Sequence, residues 1–218
     1  MIGIKCFRFS PFIENTYILH DETKECIIID PGCLSSEEQQ TFLKYIESNN
    51  LNPVKLLNTH AHLDHIFGNN FICSQFELLP LIHKAELDIL NSMSNSAMMF
   101  GISDFEPSPM PTEYIKAKDK IVFGNSELEV LYVPGHSPGH LAFVHKQQEF
   151  VVLGDVLFLG SIGRTDLPGG DYRTLINSIQ NQILPLGDDF QVYSGHGDVT
   201  TVGYEKMHNP FLCNNQVY

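Results

Sequence analysis

Four side chains that can bind a metal ion occur within six consecutive positions of this chain. They are His60, His62, Asp64 and His65. Imidazole and carboxylate groups bind divalent transition metals, whereas in an apolar core each of them would need its own partner. The run follows an apolar stretch at residues 54–57, which is typical of a short buried strand. We therefore predict that the four side chains lie on an open loop at a strand end and form half of a metal site.

Three more ligand candidates follow apolar stretches in the second half of the chain. They are His136, Asp155 and His196, and the residue before each is Gly135, Gly154 or Gly195. A glycine permits a sharp turn between the strand and the ligand. One such residue alone is usually a satisfied polar group, but three in the same context favour a site shared with the first four. Because the set contains no thiolate, zinc, iron and manganese all stay open.

The composition is that of a globular enzyme with an acidic balance. The chain has 218 residues, of which 43% are hydrophobic and 18% charged, and its formal net charge is −13. Such a charge repels phosphate backbones, so we expect no nucleic-acid partner. We expect no signal peptide, and we expect no membrane span because no apolar run is long enough to cross a bilayer. The five cysteines form no CxxC pair, which argues against a disulfide framework and favours a reducing, cytoplasmic setting.

The elements that must position the ligands divide into two similar halves. In the first half we predict strands at 6–9, 16–19, 26–29, 54–57 and 79–82, and helices starting after Ser35, near 65–75 and at 84–93. In the second half we predict strands at 128–133, 141–144, 150–153 and 191–193, and a helix at 172–181. Two strand-rich units followed by helices indicate an α/β protein with two sheets face to face and helices outside. We expect one domain over residues 1–218, with halves of roughly 1–110 and 120–218.

Residues 94–120 break this pattern. They contain Met98, Met99, Phe100, Phe105 and Met110 among three prolines. Flexible Met and aromatic side chains suit an adaptable wall over a substrate, so the segment is either a covering loop or a surface loop held by its own side chains.

The motifs together resemble a known family. HxHxDH at residues 60–65, GHSPGH at 135–140, Gly154-Asp155 and Gly195-His196 are similar to those of the metallo-β-lactamase-fold hydrolases. Residues 163–171 resemble the glyoxalase II-like (hydroxyacylglutathione hydrolase-like) branch, and residues 15–17 and 209–212 fit its short single-domain members. The resemblance implies a four-layer αββα sandwich with two mixed sheets.

The resemblance also implies how the ligands are shared. One metal would be bound by His60, His62 and His136, and a second by Asp64, His65 and His196. Asp155 would bridge them, so the expected cofactors are two divalent ions, with zinc first and iron or manganese as alternatives. No residue is assigned to an organic cofactor.

Three further residues are weaker site candidates. His140 either supports His136 or has a plain structural role. Arg164 and Asp166 are expected to form a buried ion pair that shapes the loop next to Asp155, in preference to contacting substrate. The remaining histidines, His20, His83, His145 and His208, are expected on the surface or in packing roles.

The resemblance implies thioester hydrolysis by a hydroxide that bridges the two metals. The substrate would be a small-molecule thioester, S-lactoylglutathione or a related hydroxyacyl thioester, with Asp64 and Asp155 as the catalytic carboxylates. Full-length glyoxalase II enzymes carry a C-terminal helical domain that helps to hold glutathione, whereas this chain ends 22 residues after His196. We therefore expect no such domain here, and glutathione recognition would be weaker.

Other reactions share the same motifs. Persulfide (sulfur) dioxygenases resemble the family and bind a single iron through positions equivalent to His60, His136 and Asp155. The Leu167-Pro168-Gly169-Gly170 continuation favours the hydrolase branch. A lactonase or another acyl hydrolase would use the same hydroxide. A non-catalytic binding module would require lost ligands, and all seven positions are filled. The sequence makes no prediction about oligomeric state.

Overall fold

A computed structural model of the protein describes residues 1–213, and its first sheet is built from the N-terminal part of the chain. The sheet contains β1 (Gly3–Phe9), β2 (Glu14–His20), β3 (Glu25–Ile29), β4 (Asn52–Leu57) and β5 (Pro80–Leu81), side by side in chain order. The first three strands pair antiparallel, and β3, β4 and β5 pair parallel. The end of β4 therefore opens onto the predicted ligand loop.

The second sheet is built from the C-terminal part. Its strands are β6 (Lys120–Phe123), β7 (Ser126–Tyr132), β8 (Leu141–His145), β9 (Phe150–Gly154), β12 (Gln191–Ser194) and β13 (Thr200–Thr201), and the short pair β10 (Leu157–Phe158) and β11 (Ser161–Ile162) stands apart. The order across the sheet is β13-β12-β9-β8-β7-β6. Because β12 runs parallel to β9, both strands end at the same edge.

Helices cover the outer face of each sheet. They are α1 (Ser36–Ser48), α2 (Asn69–Phe76), α3 (Leu87–Met99), α4 (Tyr172–Ser178), α5 (Val202–His208) and α6 (Pro210–Cys213). Phe42 of α1 and Ile72 of α2 pack with Ile18 and Ile28 of the first sheet. Leu175 of α4 is buried in a separate cluster on the second sheet. The predicted four-layer αββα architecture is therefore confirmed.

The main apolar core lies between the two sheets. Tyr17 and Leu19 of β2 point into it and contact the same cluster as Phe143 and Val152 of the second sheet, whereas Ile18 points to the helix side. This alternation is the period-two pattern of a strand buried on both faces. Burial of these side chains stabilises the fold by about 25 cal/mol per Å² of apolar surface removed from water.

Most predicted strands are confirmed with small shifts at their ends, and Ser35 caps α1 in a reciprocal pair with Glu38. The predicted helix at 84–93 is too short, because Ile89, Met93 and Ala97 form one buried stripe and the helix continues to Met99. Residues 94–99 are therefore helical, not loop. The helix predicted near 65–75 begins later, at Asn69, after a separate 3₁₀ turn.

None of the helices within residues 1–213 has the length and apolar character needed to cross a lipid bilayer. All five cysteine thiols are free, in agreement with the predicted lack of a disulfide framework. Burial raises the pKa of Cys26 to about 12 and that of Cys73 to about 11, so both remain protonated thiols at neutral pH.

Candidate metal centre

The fold brings all seven predicted ligand candidates to one edge of the sandwich. His60, His62, Asp64 and His65 follow β4, and Asp64 and His65 lie in the 3₁₀ turn Leu63–His65. His136 lies in the turn after β7. Asp155 directly follows β9, and His196 follows β12 after Gly195. A backbone hydrogen bond from Asn15 N to Gly195 O, 2.7 Å long, ties the first sheet to the second at this edge.

Three imidazoles converge on one point. Each of His60, His62 and His136 offers one ring nitrogen, and these nitrogens lie within 4.8 Å of one another. His62 Nδ1 lies 2.9 Å from His136 Nε2, which in turn lies 3.3 Å from His60 Nε2. We refer to these three residues as the first ligand group.

A second group lies beside the first. Asp64, His65 and His196 each offer one atom within the same 4.8 Å limit. His196 Nε2 lies 3.1 Å from Asp64 Oδ2, and His65 Nε2 lies 3.9 Å from that oxygen. We refer to these three residues as the second ligand group.

The carboxylate of Asp155 lies between the two groups. Its Oδ1 is 3.4 Å from His65 Nε2, and its Oδ2 is 3.6 Å from both His136 Nε2 and His196 Nε2. One side chain thus faces ligands of both groups, which is the geometry that a bridging carboxylate requires.

Buried polar atoms without partners show that the residues fit a metal. Among the described residues, nothing donates to or accepts from His65 Nε2 or Asp155 Oδ1, although both atoms are buried. Leaving such atoms unpaired costs about 1–3 kcal/mol each. Five imidazoles and two carboxylates form a donor set that suits divalent zinc, iron or manganese.

Oxygen acceptors hold the outer nitrogen of three ligands. His65 Nδ1–H donates to Asp30 Oδ2 at 3.0 Å, and His136 Nδ1–H donates to the Arg164 carbonyl at 2.7 Å. His60 Nδ1–H donates to Thr59 Oγ1 at 3.0 Å. Each bond leaves the Nε2 lone pair directed at the centre, since a neutral imidazole carries one proton.

Asp30 is a site residue that the sequence analysis missed. Besides His65, its carboxylate accepts from Thr59 N at 2.7 Å and Thr59 Oγ1 at 2.6 Å. It therefore connects the end of β3 to the ligand loop. In the sequence, Asp30 directly follows the predicted strand at 26–29 and precedes Pro31 and Gly32, and nothing there distinguishes a turn aspartate from one that orients a ligand.

Glu86 is a second missed residue, and it joins the two ligand-bearing loops. Its buried carboxylate accepts from Ala61 N at 2.8 Å, between His60 and His62. It also accepts from Ser137 Oγ at 2.8 Å and Gly139 N at 2.6 Å, next to His136. Burial raises its pKa, and these three donors oppose that shift. Glu86 therefore holds the geometry of the first ligand group.

We expect replacement of Glu86 by alanine to lower the free energy of unfolding by about 2–4 kcal/mol, because three buried donors lose their acceptor. Metal affinity of the first ligand group should fall with it. Denaturant unfolding and equilibrium dialysis measure the two effects. Ser137→Ala removes only one of the three donors and should cost about 1 kcal/mol. A Glu86→Ala protein as stable as the Ser137→Ala protein would contradict this role.

The structure places His140 against the ligands. Its ring stacks on His60 at a centroid distance of 4.6 Å, and its Nε2 accepts from Asp155 N at 3.1 Å. Its Nδ1–H donates to the Leu141 carbonyl. His140 thus contacts Asp155 and His60 and supports His136 only indirectly.

Arg164 and Asp166 form the predicted pair, with bidentate contacts of 2.7 and 2.8 Å. The expectation that the pair is buried is wrong, because both side chains are more than half exposed. The loop is instead attached through its backbone, by the Arg164 carbonyl that accepts from His136. An exposed pair of this kind contributes only about 0–1 kcal/mol.

The remaining histidines have packing or surface positions. His83 stacks on Tyr132, and His145 stacks on Phe150. His208 is exposed and stacks on Tyr204, and His20 is partly buried. None of them belongs to either ligand group.

Two glycines are required where the second sheet meets the centre. Gly154 has φ +54°, in the left-handed region, and a Cβ there would overlap the Thr59 hydroxyl. A Cβ on Gly195 would overlap Asp155 Oδ1 and the His65 ring. Gly154 is therefore needed for its backbone conformation, and Gly195 is needed because no space is left for a Cβ atom.

The two groups differ in how they hold protons. Burial lowers the pKa of His62 to about 3, with a further contribution from His136. Burial also disfavours charged His65, but the carboxylates of Asp155 and Asp64 outweigh it and hold the pKa of His65 well above its usual value. For His196, burial disfavours the charged form, but the hydrogen bond with Asp64 and the charges of Asp155 and Asp64 together outweigh it and raise the pKa. In the metal-free protein the first group is therefore neutral and the second holds protons.

This difference predicts that the second group loses its metal first as the pH falls. A metal must displace protons from His65 and His196 but none from the first group, so only the second affinity decreases with acidity. We expect about two metals per chain at about pH 8 and about one at about pH 5.5, measured by elemental analysis after dialysis. In a His196→Ala protein, about one metal should persist across this range. Loss of both metals together would contradict the assignment.

A cavity of about 480 Å³ opens directly above the two groups. Met93 of α3 and Phe100, which follows it, line the cavity, whereas Phe105 and Met110 of the same segment do not. Within the segment 94–120, which was predicted as either a covering loop or a surface loop, Phe100 therefore lies at the cavity and the later apolar side chains do not.

The four-layer fold and this cluster of His and Asp side chains define a metallo-hydrolase. The family model described as the metallo-beta-lactamase superfamily matches residues 10–196, and the chain belongs to that superfamily. The resemblance noted in the sequence is thereby confirmed. Membership and the converging ligand groups together imply that the site binds divalent metal ions.

Three similar proteins cover nearly the whole chain. Hydroxyacylglutathione hydrolase GloC of Haemophilus influenzae is 37% identical over 214 residues, which cover 97% of this chain and 98% of GloC. The crystal structure of BLEG-1 B3 metallo-beta-lactamase matches with a TM-score of 0.88 and 34% identity, covering 97% of this chain and 100% of the other. That of TTHA1623 in a di-iron-bound form matches with a TM-score of 0.85 and 33% identity, covering 95% and 100%.

Proposed function

We propose that this chain is a thioester hydrolase that uses two divalent metal ions, with zinc as the first ion to test. The single observation that carries the proposal is the position of the Asp155 carboxylate, which faces ligands of both groups. The first group would hold one ion, the second group the other, and Asp155 both. When bound, such ions lower the pKa of water toward about 7 and so supply hydroxide at neutral pH.

The protein's own residues orient the reaction. Asp64 is held by His196 at 3.1 Å, and both line the floor of the cavity, where its carboxylate can orient the attacking oxygen. Asp155 is kept in place through its backbone N–H, which donates to His140. Burial opposes ionisation of Asp155, but the charge of His65, with that of His196, outweighs it and lowers its pKa, so the carboxylate is ionised at neutral pH.

Thioesters are the substrate class that we propose, and hydroxyacyl thioesters are the first of them to test. The relative from Haemophilus influenzae is named a hydroxyacylglutathione hydrolase, and it matches 97% of this chain. S-lactoylglutathione is therefore the first substrate to test. The small-molecule class agrees with the cavity, whose volume of about 480 Å³ lies in the usual range for small ligands.

The test is metal analysis of protein purified without added metal, followed by a panel of a thioester, a lactone and glutathione persulfide. We expect two metals per chain and release of thiol from the thioester. Hydrolysis of the lactone alone would replace the thioester by another acyl substrate. One iron per chain with oxygen uptake on the persulfide would overturn hydrolysis in favour of the dioxygenase reaction.

A further inference from the structure

The wall of the cavity formed by α3 offers no free hydrogen-bond donor. Ile89 and Met93 are apolar, and the two hydroxyls of the wall are engaged within the helix. Ser92 Oγ donates to the Ile89 carbonyl at 2.7 Å, and Ser96 Oγ donates to the Ser92 carbonyl at 3.5 Å. Since a hydroxyl has a single proton, this wall offers a ligand the apolar surface of Ile89 and Met93 and the acceptor oxygens of the two serines, but no free O–H donor.

The mouth of the cavity is aromatic. Phe12, in the turn between β1 and β2, meets Phe100 edge to face with ring centroids 5.8 Å apart. Phe12 is 36% exposed and Phe100 is 65% exposed, although both rings are large and apolar. Exposed apolar surface of this kind next to a reactive centre indicates where an apolar part of a ligand is covered.

Within the described residues, the cavity has a single cationic side chain. Arg164 is the single Lys or Arg that lines it within the described part of the chain, and its Nε and Nη2 both donate to Asp166. Glutathione carries two carboxylates at neutral pH, and a single guanidinium that already pairs with Asp166 can match at most one of them. The walls therefore contain fewer cations than that thiol has carboxylates.

We propose that the apolar wall between α3 and the aromatic pair Phe12–Phe100 binds an unbranched apolar acyl chain, and that the thiol part of the thioester extends past Arg164 toward solvent. The inference rests on the proposed thioester hydrolysis and names the acyl group that it favours. Water adds to the carbonyl carbon, the C–S bond breaks, and the products are a carboxylate, a thiol and one proton. The acyl chain remains apolar throughout.

The experiment varies the acyl chain on one constant thiol. Acetyl, butyryl, hexanoyl and lactoyl thioesters of N-acetylcysteamine are compared on the metal-loaded protein by thiol release. Full burial of a methylene is worth up to about fourfold in binding, so we expect kcat/KM to rise at least about tenfold from acetyl to hexanoyl. The lactoyl thioester should fall near the acetyl one, because its single extra carbon carries a polar hydroxyl and adds little apolar surface to bury.

A pair of neighbouring variants locates the effect. Phe100→Ala removes a ring that lines the mouth and is already 65% exposed, so the fold should tolerate it. It should lower the ratio of kcat/KM for the hexanoyl thioester to that for the acetyl thioester by about tenfold. Met99→Ala, at a side chain 88% exposed that does not line the cavity, should leave this ratio unchanged.

The outcomes separate the inference from the proposed function. Equal rates for all chain lengths, or a Phe100→Ala protein that loses both substrates alike, would overturn the apolar acyl site while thioester hydrolysis stands. A lactoyl thioester preferred over the hexanoyl one would also overturn it. No thiol release from any member of the series would refute the proposed hydrolysis, and the acyl site with it.

Discussion

Replacing Asp155 with alanine is expected to lower kcat for thioester hydrolysis by about 10³-fold or more. The reason is that, within the described residues, this carboxylate alone faces both ligand groups, with Oδ1 directed at His65 and Oδ2 at His136 and His196. Its loss would remove one proposed ligand from each metal and would leave the buried His65 without its main counter-charge. We expect the metal content to fall below two per chain in the same preparation.

Steady-state kinetics with elemental analysis test this result. Asp155→Asn keeps the shape of the side chain and removes its charge, so it should also lose activity, which separates charge from packing. Asp166→Ala is the control, because that carboxylate is exposed and pairs only with Arg164. It should change kcat by no more than about threefold. Near-normal activity of Asp155→Ala with two metals retained would refute the bridging role.

Asp30→Asn is expected to weaken metal binding by about 10–100-fold and to cost about 2–4 kcal/mol of stability. Asp30 accepts three hydrogen bonds, two from Thr59 and one from His65. An asparagine amide has one acceptor oxygen, and its NH₂ group would face a donor. The His65 ring would lose the bond that fixes its tautomer, so the second ligand group should be affected first.

Asp21→Asn provides a matched control for this effect. Asp21 is also buried and accepts from Thr23 N, Asn125 N and Ser126 Oγ, at 2.9, 2.7 and 2.9 Å. Asp21 follows the last residue of β2, whereas Glu14, the first residue of that strand, pairs with His196. Asp21 therefore lies far from the metal centre. Asp21→Asn should lose stability and keep metal affinity. Equal loss of metal affinity in both variants would show that Asp30 acts only through general stability.

The ligand candidates were predictable because they occur at strand ends. Parallel strands that end at one edge bring the residues after them together, as β9 and β12 do for Asp155 and His196. The apolar runs before these residues predicted the strands. The order of strands and helices then predicted two sheets face to face with helices outside. The helix α3 was underestimated, because its last turns contain Asn, Ser and Met, whose local pattern resembles a loop.

The supporting residues were not predictable for a physical reason. Glu86 follows β5 and acts on Ala61 and Gly139, and its role exists only after the two halves have packed. In the sequence it is one acid at the start of a helix, where acids are common because they complement the helix dipole. The role of Arg164 was not predictable either. Its guanidinium pairs with Asp166, and its backbone carbonyl accepts from His136 Nδ1–H.

The most direct measurement of the central claim is thiol release from a thioester as metal is added stepwise to metal-free protein. Two ligand groups joined by Asp155 predict that the rate rises with added zinc and reaches its plateau at about two equivalents per chain. The same titration with iron, followed without oxygen, tests whether the second ion can be replaced. A plateau at one equivalent, or no thiol release at any metal content, would contradict a two-metal thioester hydrolase.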